Sequence, residues 1–418
     1  MTLTWPNADR TLIAKGHSDY EWVEQRPQRP VGTDIGKIGA GEPTGIVACG
    51  DGLDVIQALA DQGALTEGSV RLLYIDPPFG SGKRFGHYAD TLAEAAWLSM
   101  MRDRLAAILP FMSCDGSIWV HLDETKSHKA RLILDDMVGA DRYVATVVWQ
   151  KRLTVESRTA ISVAHDPILV YAPNGVKHWK TVRNRIAGVV AASNRDGDER
   201  GPWRDAPFTA PGYRARQQYA ITNPAGHNLI PPRGRSWFAT EPVFKRLLQE
   251  DRIWWTKDGA GQPRMKNFDI DSLQVPGTIW TGREVGTNDD AKRHLASIFP
   301  HAEAVFDTPK PESLLKRIMD IATNPGDLVV DLFAGSGSTA STALKMGRRW
   351  IAAERLPETV ASVLLPRLAH VVGGGDPGGI TTSANWAGGG AFRVISVPPT
   401  LSAGDWSPEM LHLPAMLV

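Results

Sequence analysis

Residues 71–82 read RLLYIDPPFGSG, an apolar strand that runs into a carboxylate, two prolines, an aromatic ring and two glycines. Asp76 ends the strand with two acceptor oxygens, Pro77 and Pro78 lock the backbone while leaving carbonyl groups available, and Phe79 offers a flat face. These types in this order suit one task. They can hold a planar ring that carries an amino group, the ring on Phe79 and the amino hydrogens accepted by Asp76 and the Pro77 carbonyl. The lone pair of an exocyclic amino group on adenine or cytosine is delocalised into its ring. Two acceptors that draw the hydrogens out of plane relocalise it and favour in-line attack on a methyl sulfonium.

A second stretch, residues 327–339, reads DLVVDLFAGSGST. Its strand ends at Asp331, Gly335 and Gly337 allow a tight turn with close approach of backbone to a ligand, and a helix begins near Thr339. That arrangement suits a nucleoside-like cofactor outside the carboxyl ends of parallel strands. No Lys follows the last glycine, so it is not a phosphate loop. Glu354 closes the next strand about 20 residues beyond the glycines, where a carboxylate can grip a ribose diol. An exposed strand-end acid is the alternative. Between residues 177 and 216, nine Lys or Arg stand against four Asp or Glu, interleaved with Trp179, Trp203 and Tyr213. This excess suits phosphate neutralisation and reading of guanine edges, with a solvated basic loop as the alternative. Trp254, Trp255 and Trp280 read as the core of a small domain, and no His or Cys spacing points to a metal site.

Strands and helices must position these groups. From residue 45 the pattern alternates: strand, Gly-Asp turn, helix, the strand to Ile75, a long helix over 92–112, the strand SIWVHL, a helix closed by Gly139, then the strands YVATVVW and PILVYA. Such alternation implies a parallel, doubly wound α/β sheet covered on both faces. It breaks between about residues 177 and 300, where short basic, aromatic and Pro/Gly-rich fragments suggest an inserted, loop-rich domain. It resumes through a helix over TPKPESLLKRIMDIAT, the glycine turn and the strand WIAAE, and ends on a Gly-rich connection and one last strand. Residues 1–44 read as an irregular N-terminal arm.

The 418 residues carry 46 Lys or Arg against 46 Asp or Glu, so any surface for a polyanion must be a local patch. Two cysteines, Cys49 and Cys114, are too few for a disulfide framework and fit a reducing cytoplasm. No apolar run reaches the roughly 20 residues of a membrane span, and the N-terminus lacks a signal core, so a cytoplasmic protein is expected.

DPPF followed by DLFAGSGST resembles the amino-methyltransferase signatures of DNA methyltransferases. The order, catalytic motif first, then a variable insert, then KP and the glycine motif, resembles their permuted beta class. HLDE, VVWQKR, the run FDTPKPESLLKRIMDIATNPGDLVVDLFAGSGSTASTALKMGRRWIAAER and a terminal GGGAFRV are similar to adenine-specific modification enzymes related to type III modification subunits. The resemblance spans roughly residues 45–175 and 275–395. It implies a Rossmann-like, circularly permuted fold that binds S-adenosylmethionine, divided into an arm (1–44), a catalytic half (45–176), an inserted target-recognition region (177–300), a cofactor half (301–370) and a Gly-rich C-terminal segment (371–418).

Residue by residue, the resemblance makes Asp76, Pro77, Pro78 and Phe79 catalytic and base-holding. It places Asp331, Phe333, Gly335, Ser336, Gly337 and Thr339 around the cofactor, Glu354 on its ribose, and Thr308 with Lys310 at its methionine end. Asp51, in CGDGLD, matches an element that contacts the cofactor's adenine or the catalytic loop, with a simple turn residue as the alternative. Lys83, Arg84, His87 and Tyr88 follow the catalytic turn and are placed to clamp a target nucleotide, which must leave the duplex to be reached. Packing of the loop suits Tyr88 equally. Lys177, Lys180, Arg183, Arg185, Arg204, Arg214 and Arg216 are the expected DNA contacts of the insert. His121 and Asp123 match the strand on the base-pocket side, or serve the core.

The implied activity is transfer of a methyl group to adenine N6 in a specific double-stranded sequence. Cytosine N4 is the alternative within the same chemistry; relatives acting on cytosine more often carry Ser at the position of Asp76. An inactive DNA-binding module is the alternative of another class, and a nicotinamide dehydrogenase would leave residues 76–79 and the basic insert unexplained. C5 methylation needs an activated thiolate, which neither cysteine's sequence setting offers. A homodimer and a restriction subunit are partners the resemblance implies.

Overall fold

The structure is a computed structural model that describes residues 4–16, 19–26, 30–78, 90–187, 192–268, 273–301 and 306–401. Ten strands form one sheet: β1 (Thr33–Gly39), β2 (Gly45–Cys49), β3 (Val70–Ile75), β4 (Met112–His121), β5 (Tyr143–Gln150), β6 (His165–Tyr171), β7 (Ile279–Trp280), β8 (Leu328–Asp331), β9 (Arg349–Glu354) and β10 (Ala391–Ser396). Their spatial order is β7-β5-β6-β4-β3-β8-β9-β2-β10-β1. The helices that position the site are α1 (Gly52–Asp61), α2 (Asp90–Ile108), α3 (Glu124–Leu134), α4 (Asn288–Ile298), α5 (Glu312–Ala322), α6 (Ser338–Lys345) and α7 (Leu365–Val372).

The centre of the sheet is parallel, with Val330 of β8 level with Leu73 of β3 and Ile351 of β9. β3 and β8 are apolar apart from Arg71 near the start of β3 and Asp331 at the end of β8, because both faces are covered. On one face Leu73, Ile75, Ile118, Val120, Val330 and Ile351 share a core with Ile56 and Leu59 of α1, Trp97 and Met101 of α2 and Ile133 of α3. On the other, α5 packs on β3 and α6, and α6 packs on β9.

The sheet is mixed, which corrects the expectation of an all-parallel one. β6, the strand of PILVYA, runs antiparallel to both β4 and β5, and β1 runs antiparallel to β10. The segment 151–164 between β5 and β6 contains no helix, so the chain returns as a hairpin instead of crossing over.

The N-terminal arm is also more regular than expected. Thr11–Lys15 and Asp19–Val23 form an antiparallel hairpin, and residues 33–39 supply the edge strand β1. Leu12 and Ala14 join the core of the α1–α3 face, and the Leu12 amide donates to Asp103 of α2 at 2.7 Å. Five-residue strands are too short to reveal a period, and the partner that fixes this hairpin lies 91 residues away.

The chain divides into two compact units, Met1–Asn184 with Gly277–Val418, and Arg185–Pro276. The second is narrower than the 177–300 suggested by composition. A helix at Val176–Val182, strand β7 with Trp280, and α4 all belong to the first unit. The second unit has its own core of Phe208, Ile221, Trp237, Phe244 and Ile253, against which Trp255 packs. Trp179 and Trp203 are buried, while Tyr213 is exposed. Among the described residues no helix is long and apolar enough to cross a membrane.

Candidate active site

Three neighbouring parallel strands each end in an acid at the carboxyl edge of the sheet: Asp76 just beyond β3, Asp331 closing β8 and Glu354 closing β9. Strands lie about 4.8 Å apart, so the three carboxyl groups line one edge. Asp76 forms an ion pair through Oδ2 with the buried ammonium of Lys310. Its other oxygen, Oδ1, is buried and has no hydrogen-bond partner among the described residues. A buried acceptor left unmatched is costly, and this oxygen keeps the capacity to accept a hydrogen bond.

Asp331 is buried and accepts the Phe333 amide at 3.0 Å. Burial, with Asp76 and Glu354 nearby, pushes its carboxyl up to about 7 against the opposing hydrogen bonds from Thr339 and Phe333. Glu354 is likewise raised by burial, although backbone amides oppose the shift. Its Oε2 accepts the Gly335 amide at 2.8 Å and its Oε1 the Leu356 amide at 3.0 Å. Glu354 therefore staples the glycine turn to the end of β9.

The turn itself requires its glycines. Gly335 has φ of +49°, and a Cβ there would stand 2.9 Å from the Phe306 ring; Gly337 has φ of +77° and opens α6. Phe333 is half-buried against the α1–α3 core, and Thr308 is exposed. Ser336 turns inward, where Arg367 donates to its carbonyl at 3.2 Å and to Ser338 Oγ at 2.8 Å. Arg367 also reaches Glu312 at 3.1 Å, and Lys345 bridges Glu312 (2.7 Å) and Asp376 (2.6 Å), which accepts from His294 at 2.7 Å. This buried ionic network joins α4, α5, α6 and α7 beneath the turn.

The DNA methylase family model, N6_N4_Mtase, matches residues 70–364, which hold the catalytic turn, the glycine turn and everything between. The chain belongs to the DNA methylase family. It is 29% identical over 304 residues to the type II methyltransferase M.EcaI of Enterobacter cloacae, covering 70% of this chain and 64% of that one. It is 28% identical over 337 residues to the StyLTI Mod subunit, a type III restriction-modification enzyme of Salmonella typhimurium, covering 71% and 49%. The chain thus spans about half to two-thirds of the length of these relatives. Among solved structures it is similar to the cytosine-N4-specific PvuII DNA methyltransferase, with a TM-score of 0.43 and 14% identity over 78% of this chain and 88% of that one.

In this methylase several sequence-derived site residues are engaged within the protein. Asp51 caps α1 through Leu53 (3.0 Å), and its other oxygen is ion-paired with the fully buried Arg104 of α2. Burial opposes ionisation of Asp51, yet the Arg104 guanidinium holds its carboxyl below the ordinary value. Asp123 caps α3. The Pro78 carbonyl accepts the Trp97 indole N–H at 2.8 Å, which fixes the catalytic turn onto α2. Pro77 is buried; Phe79, Lys83, Arg84, His87 and Tyr88 lie outside the described residues.

The basic candidates divide. The helix carrying Lys177 and Lys180, followed by Arg183, is tied down at the opposite, amino edge of the central strands: His178 bonds Asp115 at 2.6 Å, and Arg71, near the start of β3, donates to the Val182 carbonyl at 3.2 Å. These three cations are therefore not brought to the edge that carries Asp76. Arg185, Arg204, Arg214 and Arg216 lie in the second unit, Arg214 and Arg216 exposed.

Two features escaped the sequence. The Asp76–Lys310 pair joins residues 234 apart and gives Lys310 a partner other than a cofactor carboxylate. On β3 itself, Tyr74 bonds His121 (2.9 Å), His121 faces Asp166 (3.4 Å), and Lys151 pairs with Asp166 (2.7 Å). The alternation of Tyr74 and Asp76 on one strand face was the available signal for the second.

Proposed function

We propose that the chain is an S-adenosylmethionine-dependent DNA methyltransferase of the permuted beta class that methylates adenine N6 in a specific duplex sequence. The observation that carries this is the buried, unmatched Oδ1 of Asp76 beside an Oδ2 already paired with Lys310. One oxygen is anchored and the other waits for a donor, which is what an exocyclic amino group provides. Adenine is favoured over cytosine because the residue at this position is Asp.

The residues suit the cofactor. Carboxyl groups line the carboxyl edge, two of them pushed upward by burial, so the edge favours a ligand that brings positive charge. The glycine turn presents backbone without side chains beside it. When bound, S-adenosylmethionine supplies an electrophilic methyl group on sulfur. Asp76 then accepts an amino hydrogen, relocalises the nitrogen lone pair and stands ready to take the proton that the nitrogen sheds after transfer. Trp97 keeps the turn rigid through Pro78, so the nitrogen is presented in one direction.

A covalent route through a cysteine finds no support: Cys49 is buried and its thiol is pushed up by burial and by Glu354. Cys114 is exposed near the start of β4, beside Asp115. The inserted Arg185–Pro276 unit is proposed as the target-recognition domain, and a restriction subunit and a second copy of this chain as partners. The test is incubation with unmodified genomic DNA and S-adenosylmethionine, nuclease digestion and mass spectrometry of the nucleosides. N6-methyladenine is expected. N4-methylcytosine would overturn the base, and neither product with the cofactor still bound would leave an inactive binding module.

A further inference from the structure

The β5–β6 hairpin turns at the same edge of the sheet as Asp76, because β6 is antiparallel to β4, and β4 is parallel to the catalytic strand β3. Its connection, residues 151–164, is an arm with an anchored base. The Lys151 amide donates to the Ala164 carbonyl at 2.9 Å, the Asn288 amide to the Lys151 carbonyl at 3.0 Å, and the Gly282 amide to Gln150 Oε1 at 3.1 Å. Beyond that base the side chains face solvent: Val155 is 83% exposed and Ile161 84%, with Leu153 and Val163 about half exposed. Single exposed aliphatics are ordinary, but four within eleven residues on one loop mark a contact surface. They are flanked by the exposed Arg158 and the partly buried Arg152, and by hydroxyls at Thr154, Ser157 and Thr159. The single acid, Glu156, is paired with Arg152 at 2.8 Å.

We propose that this arm enters duplex DNA beside the target, seating Val155 and Ile161 against the base steps vacated when the target nucleotide is extruded, with Arg152, Arg158 and the hydroxyls on flanking phosphates. The inference rests on the reading of the chain as a base-extruding DNA methyltransferase. Extrusion forfeits stacking and pairing, and inserted aliphatic side chains restore apolar contact to the opened stack. The arm emerges three strands from β3 in the order β3-β4-β6-β5, about 14 Å at the usual strand spacing. That is a separation a nucleotide swung out about its backbone can span. The surface is apolar at its tip and carries the exposed Arg158 and three hydroxyls around it, a net positive rim that suits a duplex, whose stacked interior is apolar and whose exterior is anionic.

The test uses the full chain and Val155→Ser/Ile161→Ser, side chains exposed enough that the fold does not depend on them. The wild type first methylates genomic DNA, and the modified site is read by sequencing. A synthetic duplex carrying that site is then prepared with the target base paired or opposite an abasic residue, which removes most of the extrusion cost. On the paired duplex kcat/KM falls about tenfold or more, and opposite the abasic residue it returns to within about threefold of wild type. Cofactor affinity is unchanged throughout. Undiminished activity on the paired duplex, or equal loss on both duplexes, overturns the proposal. Conversion of a dimer to a monomer by sedimentation would reassign the arm to a contact between copies. A wild type that modifies no base brings down the parent reading, and this proposal falls with it.

Discussion

In the large unit, burial pushes the Asp331 and Glu354 carboxyls upward, and Asp76 keeps one oxygen without a partner among the described residues. In the Arg185–Pro276 unit the acids behave oppositely. Hydrogen bonds from Arg200 hold Asp198 well below the ordinary carboxylate range, and those from Arg195 and Arg264 hold Asp205 below it. There Lys266, only 2% exposed, sits among Asp196 (2.5 Å), Asp198 (3.0 Å) and Asp251 (2.7 Å), and these partners keep its ammonium charged despite desolvation. The second arrangement is closed, with its charges spent on one another. The first is open: one Asp76 oxygen is paired with Lys310, the other has no partner among the described residues, and the two neighbouring acids are held toward their neutral forms. The difference lies in what surrounds the acids: burial with few cations at the strand ends of β8 and β9, and a shared lysine with arginines in the small unit.

The widest break in that comparison comes from Asp76→Ala. Methyl transfer should fall by about a thousandfold or more while cofactor affinity holds. Full transfer activity with Asp76 gone would end the assignment. On the other side, Lys266→Met removes the buried cation that Asp196, Asp198 and Asp251 share and should destabilise the small unit. The readout is rapid proteolysis within 185–276 with cofactor binding by the large unit retained; a variant as resistant as wild type would deny the cluster its structural role.

Lys310→Met sharpens the comparison, because Lys310 belongs to the open edge and yet pairs with it. If its ammonium serves Asp76, kcat drops about ten- to a hundredfold with the cofactor Kd little changed. A weaker Kd with kcat intact would instead return Lys310 to the methionine end of the cofactor.

How much of this was legible beforehand differs from residue to residue, and the reason is sequence distance. Asp331, Gly335 and Gly337 could be read because a strand, a turn and a helix start are local events whose geometry dictates residue type. The position of Glu354 at a strand end suggests a grip on a ribose diol, but its bond to the Gly335 amide spans 19 positions and depends on β8 and β9 being neighbours, which no local pattern shows. Lys177, Lys180 and Arg183 looked like DNA contacts by charge alone, and charge does not say which end of a sheet a helix reaches. Arg71 and Asp115 decide that, and neither lies within 60 residues of them. The direction of β6 was legible in principle, since parallel crossovers usually run through a helix and residues 151–164 offer no helical pattern.

The smallest effect, and the most discriminating, concerns pH. Asp331 titrates at about 7 when folded against 3.8 ordinarily, so the folded state prefers it neutral. The stability it contributes is fully present below about pH 4 and is lost as pH rises through about 7, at up to 1.4 kcal/mol per pH unit. Asp331→Asn cannot ionise and keeps an acceptor for the Phe333 amide and the Thr339 hydroxyl. Urea unfolding should therefore find variant and wild type similar near pH 4 and the variant more stable by a few kcal/mol at most above pH 7. Parallel curves would mean that Asp331 is not held neutral. The same upward shift makes a second demand on the open edge. A cation bound beside Asp331 favours its charged form, so binding of S-adenosylmethionine near pH 7 should release part of a proton, visible as a binding enthalpy that changes with the ionisation enthalpy of the buffer. Asp331→Asn should abolish that dependence. The closed cluster around Lys266, already fully ionised, has no proton to give, and a release that survives Asp331→Asn would have to come from Glu354, the other acid on the edge that burial holds above its ordinary value.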